Sequence, residues 1–474
     1  MKKIILLIFL SGLFNTISIA QATWQKVVCG ANFSLGLRSD GALWSWGENA
    51  SGQLGLSHFD SQSEAVRIGD GNDWNEIAAG SFHCLAIKDD GTLWAWGAGD
   101  HGQIGNDDIF NEKTPFQVGD DTDWEKVEAG FGHSLAIKTD GTLWSWGYNV
   151  HGQLGDGTLT NSGTPSQIGD ANDWLSVEAG GAHTIGLKTS GEIWAWGFNG
   201  NGQYGDGTTT DSTVPLYIGI GNDWIVISTG FEFTLGLKLD GTIWGWGYNS
   251  NGQLGIGTTS SVTEPVQIGE DSDWLTIEAG GGYSFGIKTD GTLHGWGYNG
   301  SGRLGTGDFL QKVSPTQIDD SDTWFSISAA DGEAYPGVTA GGHSLGLHDD
   351  METICVSGEN GMGQLGDGTL IDRKVFNCAN SFSNVSKINA EIVIPLIYPN
   401  PFSTFTTIEF GQELSQNHSI IIYNILGRPI YRIDAITGTS VRIESDQLTK
   451  GVYFLRLVDN SNQVEIFTAK LNVK

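Results

Sequence analysis

The sequence predicts an all-β chain: a seven-bladed β-propeller followed by a small β-sandwich. Three observations carry that expectation. First, a stretch typified by "GTLWSWGYNVHGQLGDGT" (141–158) returns every 50 residues, and a separate tryptophan keeps the same step at Trp24, Trp74, Trp124, Trp174, Trp224, Trp274 and Trp324. Six units are full length and the seventh is degraded. Second, each unit divides into four short strands. Third, the period stops after Asn380 and a different alternating pattern takes over. A fixed period of this size means a solenoid, a propeller or an array. Four strands per unit, seven units and 70 glycines select the propeller. Its closed ring leaves only short, protected sheet edges.

The chain opens on "MKKIILLIFLSGLFNTISIA". Two lysines, an apolar run (Ile4–Phe14) and small residues at Ser18 and Ala20 read as a secretory signal peptide over 1–20, cut after Ala20. No later apolar run approaches the about 18 residues of a spanning helix. The expectation is an exported protein with no transmembrane span.

The propeller is expected over 21–383. In its third unit "WEKVEAG", starting at Trp124, alternates apolar and polar residues as a half-buried strand does. "HSLAIK" (133–138), "LWSWG" (143–147) and the Pro-led "PSQIG" (165–169) supply the other three strands. "KTDGT" joins the middle pair, and Asp-Gly there implies a two-residue hairpin with φ > 0 at both central residues. Trp144 and Trp146, two apart, share a face of their strand. They are read as core packed against the next blade, with an exposed sugar-stacking platform as the alternative.

"AGFGHSLAIKTDGTLWSWGYNVHGQLGDGT" (129–158) resembles the repeat of the RCC1 family: AG-x-x-H-[ST]-x-A-[IL], then DG-x-[LV]-x-x-WG-x-N-x-x-GQLG. The resemblance recurs over roughly residues 24–370 and implies a seven-bladed propeller. Proteins of that fold act as nucleotide-exchange factors on small GTPases, as interaction scaffolds and as secreted inhibitors of enzymes.

Residues 384–394 are expected to link the propeller to a sandwich over 395–474, whose strands recur about every 10 residues. Tyr398-Pro399-Asn400-Pro401, "IYNILGR", "GVYFLRL" with Gly451 and Tyr453, and the terminal "KLNVK" with Lys470 and Lys474 resemble the type A sorting domain of the type IX secretion system of Bacteroidetes. That resemblance implies type IX machinery as a partner, and delivery to the outer-membrane surface or beyond.

Charge excludes some functions. The chain's net charge is −31, and residues 21–389 alone hold 15 Lys and Arg against 47 Asp and Glu. Such a field repels nucleic-acid phosphates and anionic lipid. With the signal peptide it disfavours nuclear exchange activity.

Candidate chemistry is sparse, and no motif requires a cofactor. "GYSFG" (282–286) and "GHSLG" (342–346) match G-x-S-x-G, but they fall on repeat positions and not on a strand-turn-helix. His83, His133, His183 and His343 share a column with Phe33, Phe233 and Tyr283. A column that accepts Phe suits framework hydrogen bonding and not a metal. Acidic turns such as "DDTDW" (120–124) supply too few oxygens for calcium and suit local backbone bonding. Without CxxC, a zinc ribbon is disfavoured. Cys355 and Cys378 share the last unit and can pair there, while Cys29 and Cys84 hold different repeat positions; connectivity stays open.

The departures from the repeat are the candidate binding face: Phe82, Phe131, Phe231, Glu232, Phe233 and Tyr283, plus Asp331, Glu333 and Tyr335 of a ten-residue insertion (331–340). An aromatic-acidic rim resembles a protein-binding face. The expected function is a secreted or surface propeller that binds a protein or glycan and is not an enzyme. An inhibitor of an extracellular enzyme is one alternative. A polysaccharide hydrolase or lyase is another, and it needs paired carboxylates at the axial channel.

Overall fold

The computed structural model describes residues 22–318, 323–330, 342–379, 396–398, 400–424, 428–445, 448–459 and 464–473. The signal peptide, Asp331, Glu333, Tyr335, the linker, Pro399 and Lys474 lie outside them.

Seven four-stranded antiparallel sheets follow one another in sequence order, each built from one unit. Blade 3 is typical: Trp124–Ala129, His133–Lys138, Leu143–Gly147 and Ser162–Gln167. The first strands of successive blades touch all the way round, Trp24–Cys29 meeting Trp324–Ala329, so they line the axis of a closed ring. The fourth strand starts three residues before Pro165. As the outermost strand it has a free edge, which tolerates a residue without an N–H.

The Asp-Gly hairpins differ from expectation. Only Gly141 has positive φ, at 82°. Gly141 N–H donates to the Lys138 carbonyl (2.8 Å) and Lys138 N–H to the Thr142 carbonyl (3.0 Å). This is a three-residue loop, a type I turn followed by a left-handed glycine. The Asp140 carboxylate accepts from Thr142 N–H (3.0 Å) and Thr142 Oγ1–H (2.7 Å), so the aspartate works through its side chain and needs no positive φ.

Trp146 and its equivalents are core, but they face the preceding blade and not the next, while Trp144 is half-buried against Trp124 and Lys138 of its own blade. Trp146 is fully buried among Leu85, Ile87, Leu93 and Ile104 of blade 2. Its indole N–H donates to the Gln103 carbonyl at 2.9 Å, and the Ser134 hydroxyl donates to the same oxygen at 2.8 Å. The indole bond recurs at 2.9 Å for Trp46, Trp96, Trp196, Trp246 and Trp296. The GQLG turn therefore presents one carbonyl that takes two donors from the following blade. Gln103 precedes Trp146 in the chain, which fixes the direction. Both G-x-S-x-G serines serve this staple: Ser284 donates to the Gln253 carbonyl (2.8 Å) and Ser344 to the Arg303 carbonyl (2.9 Å). Cys84 occupies the same position, its thiol on the Gln53 carbonyl at 3.2 Å.

Ring closure does not pair the last strand of the seventh unit with strand Trp24–Cys29. Arg373–Ala379 is the outer strand of blade 7, paired with Ile354–Gly358. Closure runs through Cys29 N–H to Ser328 Oγ (3.1 Å), His343 Nε2 with Ser34 Oγ (2.8 Å) and the Trp46 indole to the Gln364 carbonyl. Each blade is complete in sequence, so no strand is needed from the other terminus.

The C-terminal unit is one five-stranded antiparallel ladder. Its long strand Phe405–Asn424 pairs by its first half with Leu396–Tyr398 and the end of Pro429–Glu444. Its second half pairs with the start of Pro429–Glu444 and with Gly451–Asp459. Ile408 and Ile443 from one half share a core with Ile420, Leu455 and Leu471 from the other. The ladder thus bends over its own apolar face, as a small sandwich requires.

Candidate binding site at the channel mouth

A bulge follows the first tryptophan of each first strand, shifting register between Trp124 and Lys126 in blade 3. Beyond it the third and fifth residues share one face and the fourth and sixth the other. The fourth and sixth, Val127 and Ala129 in blade 3, are buried between blades. The third and fifth turn to the axis. The channel therefore holds Lys26, Glu76 and Lys126 in one layer and Glu128, Glu178 and Glu278 in the next.

These groups converge from different blades. Lys26 pairs with Glu76. Burial lowers the Lys26 pKa, but Glu76, Glu128 and Glu178 more than reverse that and hold it above its ordinary value. Burial pushes the Glu128 carboxyl up to about 7, with Lys26 opposing and Glu76 adding. Glu178 is raised well above the usual carboxylate range, by burial first and then by Glu128 and Glu278. Glu278 accepts from Ala329 N–H at 3.4 Å. None of these carboxylates was singled out from the sequence. The available signal was the two-residue alternation of W-x-K-V-E-A, whose phase the bulge hides.

The loops between first and second strands close one end of this channel. Phe82 of blade 2 meets Phe131 of blade 3 edge to face at 6.3 Å, and Phe131 meets Phe231 of blade 5 at 6.0 Å. Blade 4 carries Gly181 there, and a Cβ would lie 2.8 Å from the Phe231 ring. Phe82 and Phe131 stay half-buried, and Phe231 is 7% exposed. Glu232 stands beside them, accepting from Asn201 Nδ2 at 3.1 Å, its pKa raised by burial. Four of the predicted residues thus come together at one mouth.

Phe233 and Tyr283 do not belong to it. Both are fully buried between blades, in the column of the histidines. That column is framework: His83 Nε2 bonds Ser134 Oγ (2.9 Å) and His133 Nε2 bonds Thr184 Oγ1 (3.2 Å), each in the following blade. Tyr283 replaces this with its hydroxyl on the His343 carbonyl at 2.6 Å. Burial lowers His83, His133, His183 and His343 to about 3, so these rings are neutral.

The acidic turns serve lysines. Lys138 Nζ lies 4.7 Å above Trp124 and 4.8 Å above Trp144, and it pairs with Asp121 (2.7 Å) and Asp123 (2.9 Å). Cation, ring face and carboxylate together fix the start of the blade.

In the C-terminal unit the YPNP segment is tied to the last strand. Asn400 Nδ2 donates to the Lys470 carbonyl (2.7 Å) and Asn400 Oδ1 accepts from Asn472 N–H (2.8 Å). Past Pro401, Phe402 N–H donates to the Asn472 carbonyl at 2.9 Å. Tyr398 is exposed and bonds Glu409. Next to Gly451, the Tyr453 hydroxyl donates to the Thr449 carbonyl at 2.7 Å.

Residues 14–285, more than half the chain, match the family described as RCC1-like domain. The chain belongs to the RCC1-like domain family. Residues 290–332 further match the regulator of chromosome condensation (RCC1) repeat. Among solved structures this RCC1-like chain is similar to human WBSCR16, at 22% identity over 71% of this chain and 93% of that one, TM-score 0.61. It is also similar to Prp20p, the RCC1 of Saccharomyces cerevisiae, at 19% identity over 77% and 88%, TM-score 0.62. At these identities the likeness is one of fold. Comparison with curated proteins finds no match. Residues 396–473 match a secretion system C-terminal sorting domain, which marks the RCC1-like propeller for type IX export to the cell surface or extracellular space. Among the described residues no helix is long and apolar enough to cross a membrane.

Proposed function

We propose that the exported propeller is a binding module, not an enzyme, that takes a protein or glycan partner at the mouth formed by Phe82, Phe131, Phe231 and Glu232. The boundaries 21–383 for the propeller and 395–474 for the sorting domain are part of this reading. The observation that carries it is the run of edge-to-face phenylalanines at 6.3 and 6.0 Å over a layer of channel carboxylates. Aromatic groups at the centre of a concave, acidic site are the residues that dominate interfaces. A basic or polyhydroxylated partner fits the charge. Yeast RCC1, a protein of similar fold, has been solved bound to a protein partner, Kap60.

Convergence of Glu128, Glu178 and Glu278 on the axis favours a second reading, polysaccharide cleavage. Glu128, pushed up to about 7, is suited to hold a proton for a leaving group. The two readings separate in one experiment. The mature protein is used as bait against surface and secreted fractions and on a glycan array, with reducing-sugar release measured on every glycan bound. The binding reading expects capture that Phe131→Ala and Phe231→Ala each weaken by more than about 1 kcal/mol, with no release. Capture unaffected by either substitution refutes the mouth. Release that Glu178→Gln abolishes refutes the non-enzyme assignment.

A further inference from the structure

Blade 7 breaks the repeat at three positions that touch one another. In blades 2 to 6 the second strand ends in Lys88, Lys138, Lys188, Lys238 or Lys288. The third strand carries Trp94, Trp144, Trp194, Trp244 or His294, opposite Gln117, Gln167, Tyr217, Gln267 or Gln317 on the fourth. Blade 7 has His348 at the lysine position, edge to face with Trp324 at 4.7 Å. It has Cys355 at the tryptophan position and Cys378 directly opposite. His348 Nε2 is 3.0 Å from Cys355 Sγ and 3.7 Å from Cys378 Sγ. The two sulfurs are bonded to one another. Cys355 is buried, His348 half-buried and Cys378 exposed.

Three coordinated replacements exchange a cation–aromatic box for two thiols and an imidazole. A disulfide alone needs no histidine, and no other blade combines a histidine with a cysteine at this corner. All three ligand atoms lie within 4.8 Å of one another. We propose that His348, Cys355 and Cys378 form a redox-gated site for a zinc-class ion, shut as the cystine and open as the dithiol. An external dithiol or phosphine supplies two electrons and is itself oxidised, and two protons complete the Cys355 and Cys378 thiols. On binding, both thiols release their protons and the sulfurs and His348 Nε2 take three positions, with water in the fourth. Zn–S bonds of about 2.3 Å on a tetrahedron set the sulfurs roughly 3.8 Å apart. Side-chain rotation achieves that from adjacent strands. Thiolates with imidazole select a soft or borderline ion over magnesium or calcium, and the exposed Cys378 gives both reductant and metal a way in.

The test uses the mature full chain carrying Cys29→Ala and Cys84→Ser, the residues most other blades hold in those columns. It is reduced with a phosphine, freed of reductant, and titrated with Cd2+ as the spectroscopic probe and then Zn2+. One equivalent of Cd2+ with a thiolate charge-transfer band is expected for the reduced chain and none for the oxidised one. His348→Gln is expected to weaken binding about tenfold or more, and Cys378→Ser to abolish the band. A Cys355→Trp/Cys378→Gln variant, which restores the residues of other blades, is the folded non-binding control. Zn2+ is expected to raise the melting temperature of the reduced chain only. Two titratable thiols with no Cd2+ uptake, uptake indifferent to His348→Gln, or equal melting shifts in both redox states would each overturn the proposal.

Discussion

Replacing Glu128 by glutamine tests the channel directly, because the carboxyl is held at about 7 against an ordinary value of 4.5. The cause is burial, opposed by Lys26 and reinforced by Glu76. At 1.36 kcal/mol per pKa unit the displacement amounts to roughly 3 kcal/mol, with the opposing effect of Lys26 already included. The sign follows from proton binding. Between about pH 4.5 and 7 the folded chain binds the Glu128 proton more tightly than the unfolded chain, so stability falls as pH rises through this window. Glutamine cannot ionise and removes that slope. The assay is urea unfolding of the mature chain at pH 5 and pH 8, followed by tryptophan fluorescence. All 18 tryptophans lie between Trp24 and Trp324, so the signal reports the propeller and not the sorting domain. The Gln variant is expected to gain about 2–3 kcal/mol relative to the parent on going from pH 5 to pH 8. A difference between the two proteins that stays constant within about 0.5 kcal/mol across that range would refute a dry, convergent carboxylate layer.

His133→Phe, which installs the residue of blades 1 and 5, should act on the other side of the pH scale. The buried ring is lowered to about 3, its stability contribution is complete above about 6.5 and lost as pH falls, and the variant should retain about 2 kcal/mol more than the parent at pH 5 than the same comparison gives at pH 8; parallel unfolding curves would contradict it. Trp146→Ser should cost about 3–5 kcal/mol by urea unfolding even though Ser357 holds that position in blade 7, because there Phe376 fills the space beside Gly305 that the indole fills beside Gly105; a loss under about 1 kcal/mol would mean the blades do not rely on the indole. A chain ending at Ser386 should fold with an unchanged fluorescence transition, be cut after Ala20 and stay in the periplasm, as fractionation would show; normal surface amounts would remove the sorting role.

The ring was legible because its physics is repeated. A buried indole, a GQLG carbonyl and a hydroxyl recur together, so period, strand count and blade number all follow from the sequence. Direction was not legible: Trp146 and Gln103 are 43 residues apart, and only the closed ring shows that the indole reaches back. Closure was not legible for a related reason. The last unit reads as degraded, yet Ser357 and Phe376 supply by other means the donor and the bulk that a tryptophan supplies elsewhere. Phe233 and Tyr283 were misplaced although their shared column with four histidines already marked them as framework. Phe82, Phe131 and Phe231 stand apart because the adjoining loop is where the repeat varies.

That contrast separates fold from function within the ring. Residues joining blade to blade are nearly constant, because each must meet the same partner seven times. The axial third positions are Lys26, Glu76, Lys126, Ser176, Val226, Thr276 and Ser326, and the mouth above them is equally uneven. Blade packing does not fix these side chains, since they point away from the interblade core. A channel that is asymmetric inside a symmetric frame offers a different group from almost every direction. It can therefore hold a ligand in one orientation, which seven identical contacts could not do. In the proposed reading this asymmetry makes the axis and its mouth the place of recognition, while the repeated contacts of the inner strands keep the ring closed.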